Sequence, residues 1–229
     1  MIKQKWTTRF NPTISGPLHV GHLYVALVNA TEAHKSGGKF ILRVDDTQKV
    51  WRLRLGDKLI DQFYDEYKVE LGQFMKIDRY ERQSEMPKLD EIVDLQEISP
   101  WIKKPVFIYD QHAELVTFPN EKPYPYAPWF TLEKVAWDFW RGVNWLIRGD
   151  DLISEFSIYC YFIDLIGLPR MRQTFIPKLR KKEGDLVNIA KTFGSHKIRN
   201  QVDRFGIDKV LQYLKESCLI NPDGEFEIT

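Results

Sequence analysis

The sequence predicts an α/β fold, a parallel sheet with helices on both faces and a short insertion. Two observations predict it. A strand-like run, a helix-periodic run and a second strand-like run follow one another within the first 45 residues, and a second strand-then-helix succession begins near residue 143. Parallel strands need crossover connections, and helices supply them while covering the sheet.

In chain order, Lys5-Trp6-Thr7-Thr8-Arg9-Phe10-Asn11 suits a strand, and residues 12–17, with two prolines, Ser15 and Gly16, form a turn. Leu23, Ala26, Leu27 and Ala30 recur at i, i+3, i+4 and i+7, one face of a helix that Gly37-Gly38 ends. Lys39-Phe40-Ile41-Leu42-Arg43-Val44 is the second strand. Residues 56–68 and 85–98 read as helices, whereas 99–128 is rich in prolines and aromatics and reads as the insertion. Residues 143–147 form a buried strand, and Leu152, Phe156, Tyr159, Cys160, Ile163 and Ile166 keep helical spacing up to Gly167. Residues 173–177 read as one more short strand, and the tail from 221 is polar. The expected layout is a first half of the α/β domain over 1–98, the insertion over 99–128, a second half over 129–220 and a tail over 221–229.

At 229 residues there is room for one large domain and little more. Hydrophobic residues at 43% and charged residues at 28% give ordinary globular composition, and no run approaches the roughly 18 apolar residues of a membrane span. With no apolar signal core at the N-terminus, the expectation is a cytoplasmic protein without a membrane partner. Cys160 and Cys218 lack any CxxC or Cys/His cluster, so core thiols are expected and protein-bound zinc is not. Lys+Arg 33 against Asp+Glu 32 excludes a globally basic nucleic-acid trap. Residues 178–204, however, hold eight basic and three acidic side chains, a stretch fit either for phosphate or simply for solvent.

The first strand-to-helix junction carries Gly16-Pro17-Leu18-His19-Val20-Gly21-His22. In a Rossmann-like sheet, ligands bind outside the carboxyl ends of the strands, where a helix N-terminus offers free N–H groups to an anion. His19 and His22, three residues apart, can point the same way and donate to phosphate oxygens. Gly21 has no Cβ to obstruct a flat base.

The run Arg9-Phe10-Asn11-Pro12-Thr13-Ile14-Ser15-Gly16-Pro17-Leu18-His19-Val20-Gly21-His22 resembles the opening signature of glutamyl- and glutaminyl-type class I aminoacyl-tRNA synthetases, with its HIGH box. Gly38-Lys39-Phe40-Ile41-Leu42-Arg43-Val44-Asp45-Asp46-Thr47 is similar to that family's GGKFILRIEDT. Tyr80-Glu81-Arg82-Gln83-Ser84-Glu85 looks like its YxQSE element, and the run from Gly142 through Arg148-Gly149-Asp150-Asp151-Leu152 is close to GVTHVIRGEDL. Asn188-Ile189-Ala190-Lys191-Thr192-Phe193-Gly194-Ser195 stands in the place of the KMSKS loop.

The resemblance implies attack of an amino acid's carboxylate on the α-phosphorus of ATP, with magnesium accompanying the nucleotide. His19, His22 and Lys191 are the implied catalytic positions; Gly21, Asp150 and Thr192 are implied for ATP, Asp150 accepting from ribose hydroxyls or capping the helix after it. Arg9, Thr13, Asp45, Phe130, Lys134 and Arg148 are implied for the amino acid, with glutamate favoured. An arginine fork fits a substrate carboxylate, and a carboxylate suits an α-ammonium.

Several positions depart from the family pattern. Asp45 replaces the usual glutamate and is one methylene shorter, so a gap or a deeper-seated substrate is expected. Phe130 stands for a tyrosine and Lys134 for an asparagine. Asn188 replaces the first lysine of KMSKS. No counterpart of the family's anticodon-binding region or of the cysteine-rich zinc insertion of its short paralogues is expected in the 229 residues. Three acceptor classes follow: tRNA, reached through the basic stretch and aromatics such as Trp129 and Trp140; a small molecule or carrier; or no acceptor at all, in a binding module.

Overall fold

Threonine, phenylalanine and β-branched residues at the two ends of the first βαβ unit become β1 (Thr7–Phe10) and β2 (Lys39–Val44), joined by α1 (Val20–Lys35). In the computed structural model, the described residues are 4–88, 91–92, 107–109, 115–117, 128–176, 202–203 and 206–217. The chain divides into two units, Met1–Glu85 with Ile176–Thr229, and Met86–Phe175.

In the first unit, β1, β2 and β3 (Arg79–Arg82) form a parallel sheet in that order. Arg9 lies opposite Ile41, and Arg43 opposite Glu81. α1 packs on β1 and β2, burying Leu23, Ala26 and Ala30 as the periodicity predicts, and also Tyr24, Val28 and Ala33. Thr8 Oγ1 donates to the Asn29 carbonyl at 2.8 Å and ties strand to helix. Between β2 and β3 run α2 (Lys49–Leu55) and α3 (Asp57–Gly72). α3 buries Ile60, Tyr67 and Leu71 and continues past the expected residue 68, whereas α2 buries no side chain. β3 was not expected: it is polar, and its inward Glu81 meets the fully buried Arg43 at 3.3 Å.

Two contacts fix the ends of this sheet. Gly16 holds φ 144°, a region that disfavours any side chain, and its carbonyl accepts from Tyr67 Oη at 2.5 Å. This pins the turn that delivers the chain to α1. At the opposite end Asp78 accepts from the Phe40 N–H at 2.9 Å, and meets Lys76 and His34 at 2.7 Å each. Burial works against the Asp78 carboxylate, but these donors outweigh it and hold its pKa at about 2. The folded pKa is thus depressed below the ordinary carboxylate value. Asp78 therefore stabilises the fold above about pH 4, and that contribution is lost as pH falls through about 2. Asp78→Asn is expected to flatten the acid limb of a urea-melt series between pH 2 and 5, by under about 1 kcal/mol.

In the second unit, β4 (Phe107–Tyr109) and β5 (Leu115–Thr117) form an antiparallel pair. α4 (Pro128–Trp140) precedes β6 (Trp145–Gly149), which pairs with β7 (Arg172–Ile176). A 3-10 helix, Asp150–Glu155, leads into α5 (Phe156–Leu165). The strand expected over 143–147 thus begins two residues later, and the expected helix from Leu152 starts as 3-10. The helix expected over 85–98 is corrected in its described part: Gln83–Glu85 is one 3-10 turn and residues 86–88 are not helical. Pro87 explains this, because a proline disfavours α geometry in the residue before it. α6 (Ile207–Ser217) is an amphipathic helix of the first unit that buries Val210.

Among the described residues no helix is long and apolar enough to cross a membrane. Cys160 is half-buried, accepts a long hydrogen bond from Gln173 Nε2 at 3.6 Å, and burial pushes its thiol pKa up. Cys218 and the basic side chains between 178 and 204 lie outside the described residues.

Candidate active site

The turn fixed by Tyr67 delivers His19 to the N-cap of α1 in extended geometry, φ −125° and ψ 171°. The Gly21 N–H donates to His19 Nδ1 at 3.1 Å, and the His19 N–H donates to His22 Nδ1 at 3.4 Å. The two histidines thus complete a reciprocal capping box, the work usually done by serine and glutamate. Their rings stack at 3.7 Å and 23°. Burial, and then the neighbouring His19, hold the His22 pKa down to about 3. His22 is therefore neutral at neutral pH. With Nδ1 accepting, the proton sits on Nε2, which is left as a donor.

Gly21 is a steric partner of this pair. A Cβ there would lie 3.0 Å from His19 Cε1 and 3.1 Å from Nδ1. Gly21→Ala is expected to push the His19 ring off its stack. Losing that cover raises the His22 pKa from about 3 toward its ordinary 6.5, a change that a proton NMR titration reads directly.

A second cluster closes the carboxyl ends of β1, β2 and β3, where a parallel sheet binds its ligands. Asp45 is 1% exposed and sits at its centre. Its Oδ1 accepts from the Thr47 N–H at 3.1 Å, the Thr47 hydroxyl at 2.8 Å and Gln83 Nε2 at 3.2 Å. Its Oδ2 accepts from Thr13 Oγ1 and Gln48 Nε2, each at 3.3 Å. A parallel bridge between Thr13 and Asp45 joins the two loops. Gln83 Oε1 accepts from Asn11 at 3.3 Å. Beside it, Asp46 accepts from the Ser84 N–H and hydroxyl at 2.8 and 2.6 Å. Arg9, on β1, is 7% exposed. The sequence pattern gives Gln83 and Gln48 no role. The one available signal was two amides placed just after strand ends.

In the second unit Arg148, 5% exposed on β6, donates from Nη2 to Gln173 Oε1 at 2.5 Å and lies 3.8 Å from Glu155. The faces of Tyr159 and Phe175 flank its guanidinium at 5.1 and 5.3 Å. Asp150 opens the 3-10 helix directly after β6. Phe130 and Lys134 fall one turn apart on α4, with Lys134 half-exposed. Trp140 is 46% exposed and Arg141 covers one face at 3.8 Å. Lys191 and Thr192 lie outside the described residues. Among the described residues no three His, Cys, Asp or Glu side chains gather as a metal site.

Residues 5–85, which carry both the histidine pair and the Asp45 cluster, match the family described as tRNA synthetases class I (E and Q), catalytic domain. The match is confined to these residues, about a third of the chain. A glutamate–tRNA ligase of Ruegeria pomeroyi is 42% identical over 80 residues, 34% of this chain and 16% of that protein. One from Methanocaldococcus jannaschii is 36% identical over 89 residues, 38% of this chain and 15% of that protein. The synthetase-type fold extends further than the sequence match. The glutamate–tRNA synthetase structure from Elizabethkingia anophelis superposes with a TM-score of 0.52 at 18% identity, over 89% of this chain and 54% of that one. A tyrosyl-tRNA synthetase from Archaeoglobus fulgidus superposes at 0.51 and 17% identity, over 77% of this chain and 56% of that one. The chain thus spans about half the length of these solved synthetases, and its matched segment about a sixth of the curated ligases. Both neighbours share the α/β class with a Rossmann-like sheet.

Proposed function

We propose that the chain activates an amino acid with ATP and passes the aminoacyl group to tRNA, with glutamate the favoured amino acid. The carrying observation is the stacked His19–His22 pair at the N-terminus of α1, with both Nδ1 atoms accepting backbone N–H groups. Two Nε2 donors beside a helix N-terminus suit phosphate oxygens.

In the reaction a substrate carboxylate oxygen bonds to the α-phosphorus of ATP. The bond from that phosphorus to the bridging oxygen of the β-phosphate breaks, and pyrophosphate leaves with the electron pair. No protein nucleophile is needed, so the chain's part is positioning and charge neutralisation. His19 and His22 hold phosphate oxygens, and a neutral His22 does so by hydrogen bonding rather than by charge. Lys191 and Thr192 serve the pyrophosphate side, Gly21 leaves room for the base, and Asp150 accepts from the ribose. ATP enters as its magnesium complex, the metal being part of the substrate.

Arg9 and Arg148 are assigned to substrate carboxylates, Thr13 and Asp45 to the end bearing the ammonium, and Phe130 and Lys134 to the side chain. Residues 99–128 stand where the family places its connective insertion. The test has two stages. Amino-acid-dependent exchange of pyrophosphate into ATP reads activation, and labelled amino acid recovered on total RNA reads transfer. Activation without RNA labelling would point to a small-molecule or carrier acceptor. No activation with any amino acid would leave a binding module.

A further inference from the structure

We propose that Gln48, rather than Asp45, is the group that receives the substrate's ammonium, with Asp45 as the buried residue that positions it. This rests on the reading above and revises only its assignment of Asp45, from contacting the ammonium to positioning the group that does.

Three observations carry it. First, Asp45 is 1% exposed and both its oxygens are occupied, Oδ1 by three donors from Thr47 and Gln83 and Oδ2 by Thr13 and Gln48. A ligand entering at the strand ends reaches the half-exposed Thr13 and Gln48 before it reaches that carboxylate. Second, Gln48 is the N-cap of α2 but makes no capping hydrogen bond to its helix. Its amide turns back across the strand ends instead. Third, the amide has a fixed sense. Nε2 donates to Asp45 Oδ2 and to Thr13 Oγ1, each at 3.3 Å, so both of its hydrogens are used and a carboxylate cannot face Oε1. Among the described residues Oε1 has no partner.

The arrangement is a triangle. Thr13 donates to Asp45 and accepts from Gln48, while Gln48 donates to both. The shorter Asp45 therefore does not leave a void; its withdrawn carboxylate is bridged to the surface by the Gln48 amide. A neutral amide oxygen backed by a buried carboxylate accepts from an α-ammonium less strongly than a carboxylate does, but stays selective for a donor.

The experiment is exchange kinetics on the full chain, with the amino acid that supports exchange and with its deamino analogue as competitor. Gln48→Leu keeps the side chain's bulk and removes the acceptor. The expected result is a rise of about tenfold in KM for the amino acid, with KM for ATP unchanged and the analogue's inhibition constant unchanged. Asp45→Asn is expected to move KM for the amino acid in the same direction, because it reverses which atoms can donate within the triangle. An unchanged KM in Gln48→Leu, or an equal weakening of the analogue that lacks the amine, would overturn the assignment. Circular dichroism melts of both variants establish that they fold, and Gln48→Ala serves as the second variant if Gln48→Leu does not. Wild-type protein that exchanges with no amino acid would instead sink the activation reading itself, and this assignment with it.

Discussion

Gly38→Ala is expected to destabilise the first unit by roughly 3 kcal/mol or more. A Cβ at this position would lie 1.8 Å from the Trp6 carbonyl oxygen, 2.6 Å from its carbon and 2.9 Å from its nitrogen. All three atoms are backbone, so no side chain can rotate away. The backbone is also held on both sides. Gly38 N–H donates to the Ala33 carbonyl at 2.9 Å, Lys39 N–H to the Trp6 carbonyl at 3.2 Å, and Trp6 N–H to Ser36 Oγ at 2.8 Å. Relieving the overlap means separating the start of β1 from the end of α1. In a protein whose whole stability is of the order of 10 kcal/mol, that should lower the melting temperature by about 10 °C. Gly72→Ala, at the end of α3 with nothing within 4 Å of its Cβ, is the control and should be neutral or slightly stabilising. Equal melting temperatures for the two variants would mean that Trp6 is not packed on Gly38 as described.

The second large effect is on chemistry. His22→Ala is expected to lower amino-acid-dependent pyrophosphate exchange by about 100-fold or more, the usual scale for losing one preorganised donor to a developing charge. Stability should fall by only about 1 kcal/mol, since the capping contact with the His19 N–H is lost as well. The pH profile separates the two roles. With its pKa held at about 3, His22 does not change charge above pH 5, so wild-type exchange should show no step attributable to it there. Lys191→Ala should lower exchange too. Unaltered exchange in both variants would remove the histidine pair and the lysine from the phosphate site.

Sequence pattern carried the parts of the fold that rest on apolar periodicity. Phe40, Leu42 and Val44 on β2, and Leu23, Ala26 and Ala30 on α1, are buried where their spacing puts them. β3 escaped because Arg79-Tyr80-Glu81-Arg82 has a polar pattern. Its inward side chain is a glutamate paired to the buried Arg43 across the register, and pairing between strands distant in sequence leaves no local period. α2 escaped for a different reason: it is only seven residues long, and its apolar side chains, Val50 and Leu53 among them, stay exposed. Of the helix expected over 85–98, the described start is not α-helical, because Pro87 disfavours helical geometry in the residue before it. The histidine pair was legible, since spacing and helix start together place it. The amides around Asp45 were not, because Gln48 and Gln83 meet only when the ends of β1, β2 and β3 are brought together. The Asp45 carboxylate itself accepts from Thr13, Thr47, Gln48 and Gln83.

The activity proposed for this chain is activation of a carboxylate at the expense of ATP. The most direct measurement is isotope exchange between pyrophosphate and ATP with the purified chain, magnesium and each of the twenty amino acids in turn. Exchange is expected to depend on one amino acid, glutamate first among them, and to fall about 100-fold in His22→Ala. Absence of exchange with all twenty, from folded wild-type protein, would contradict it.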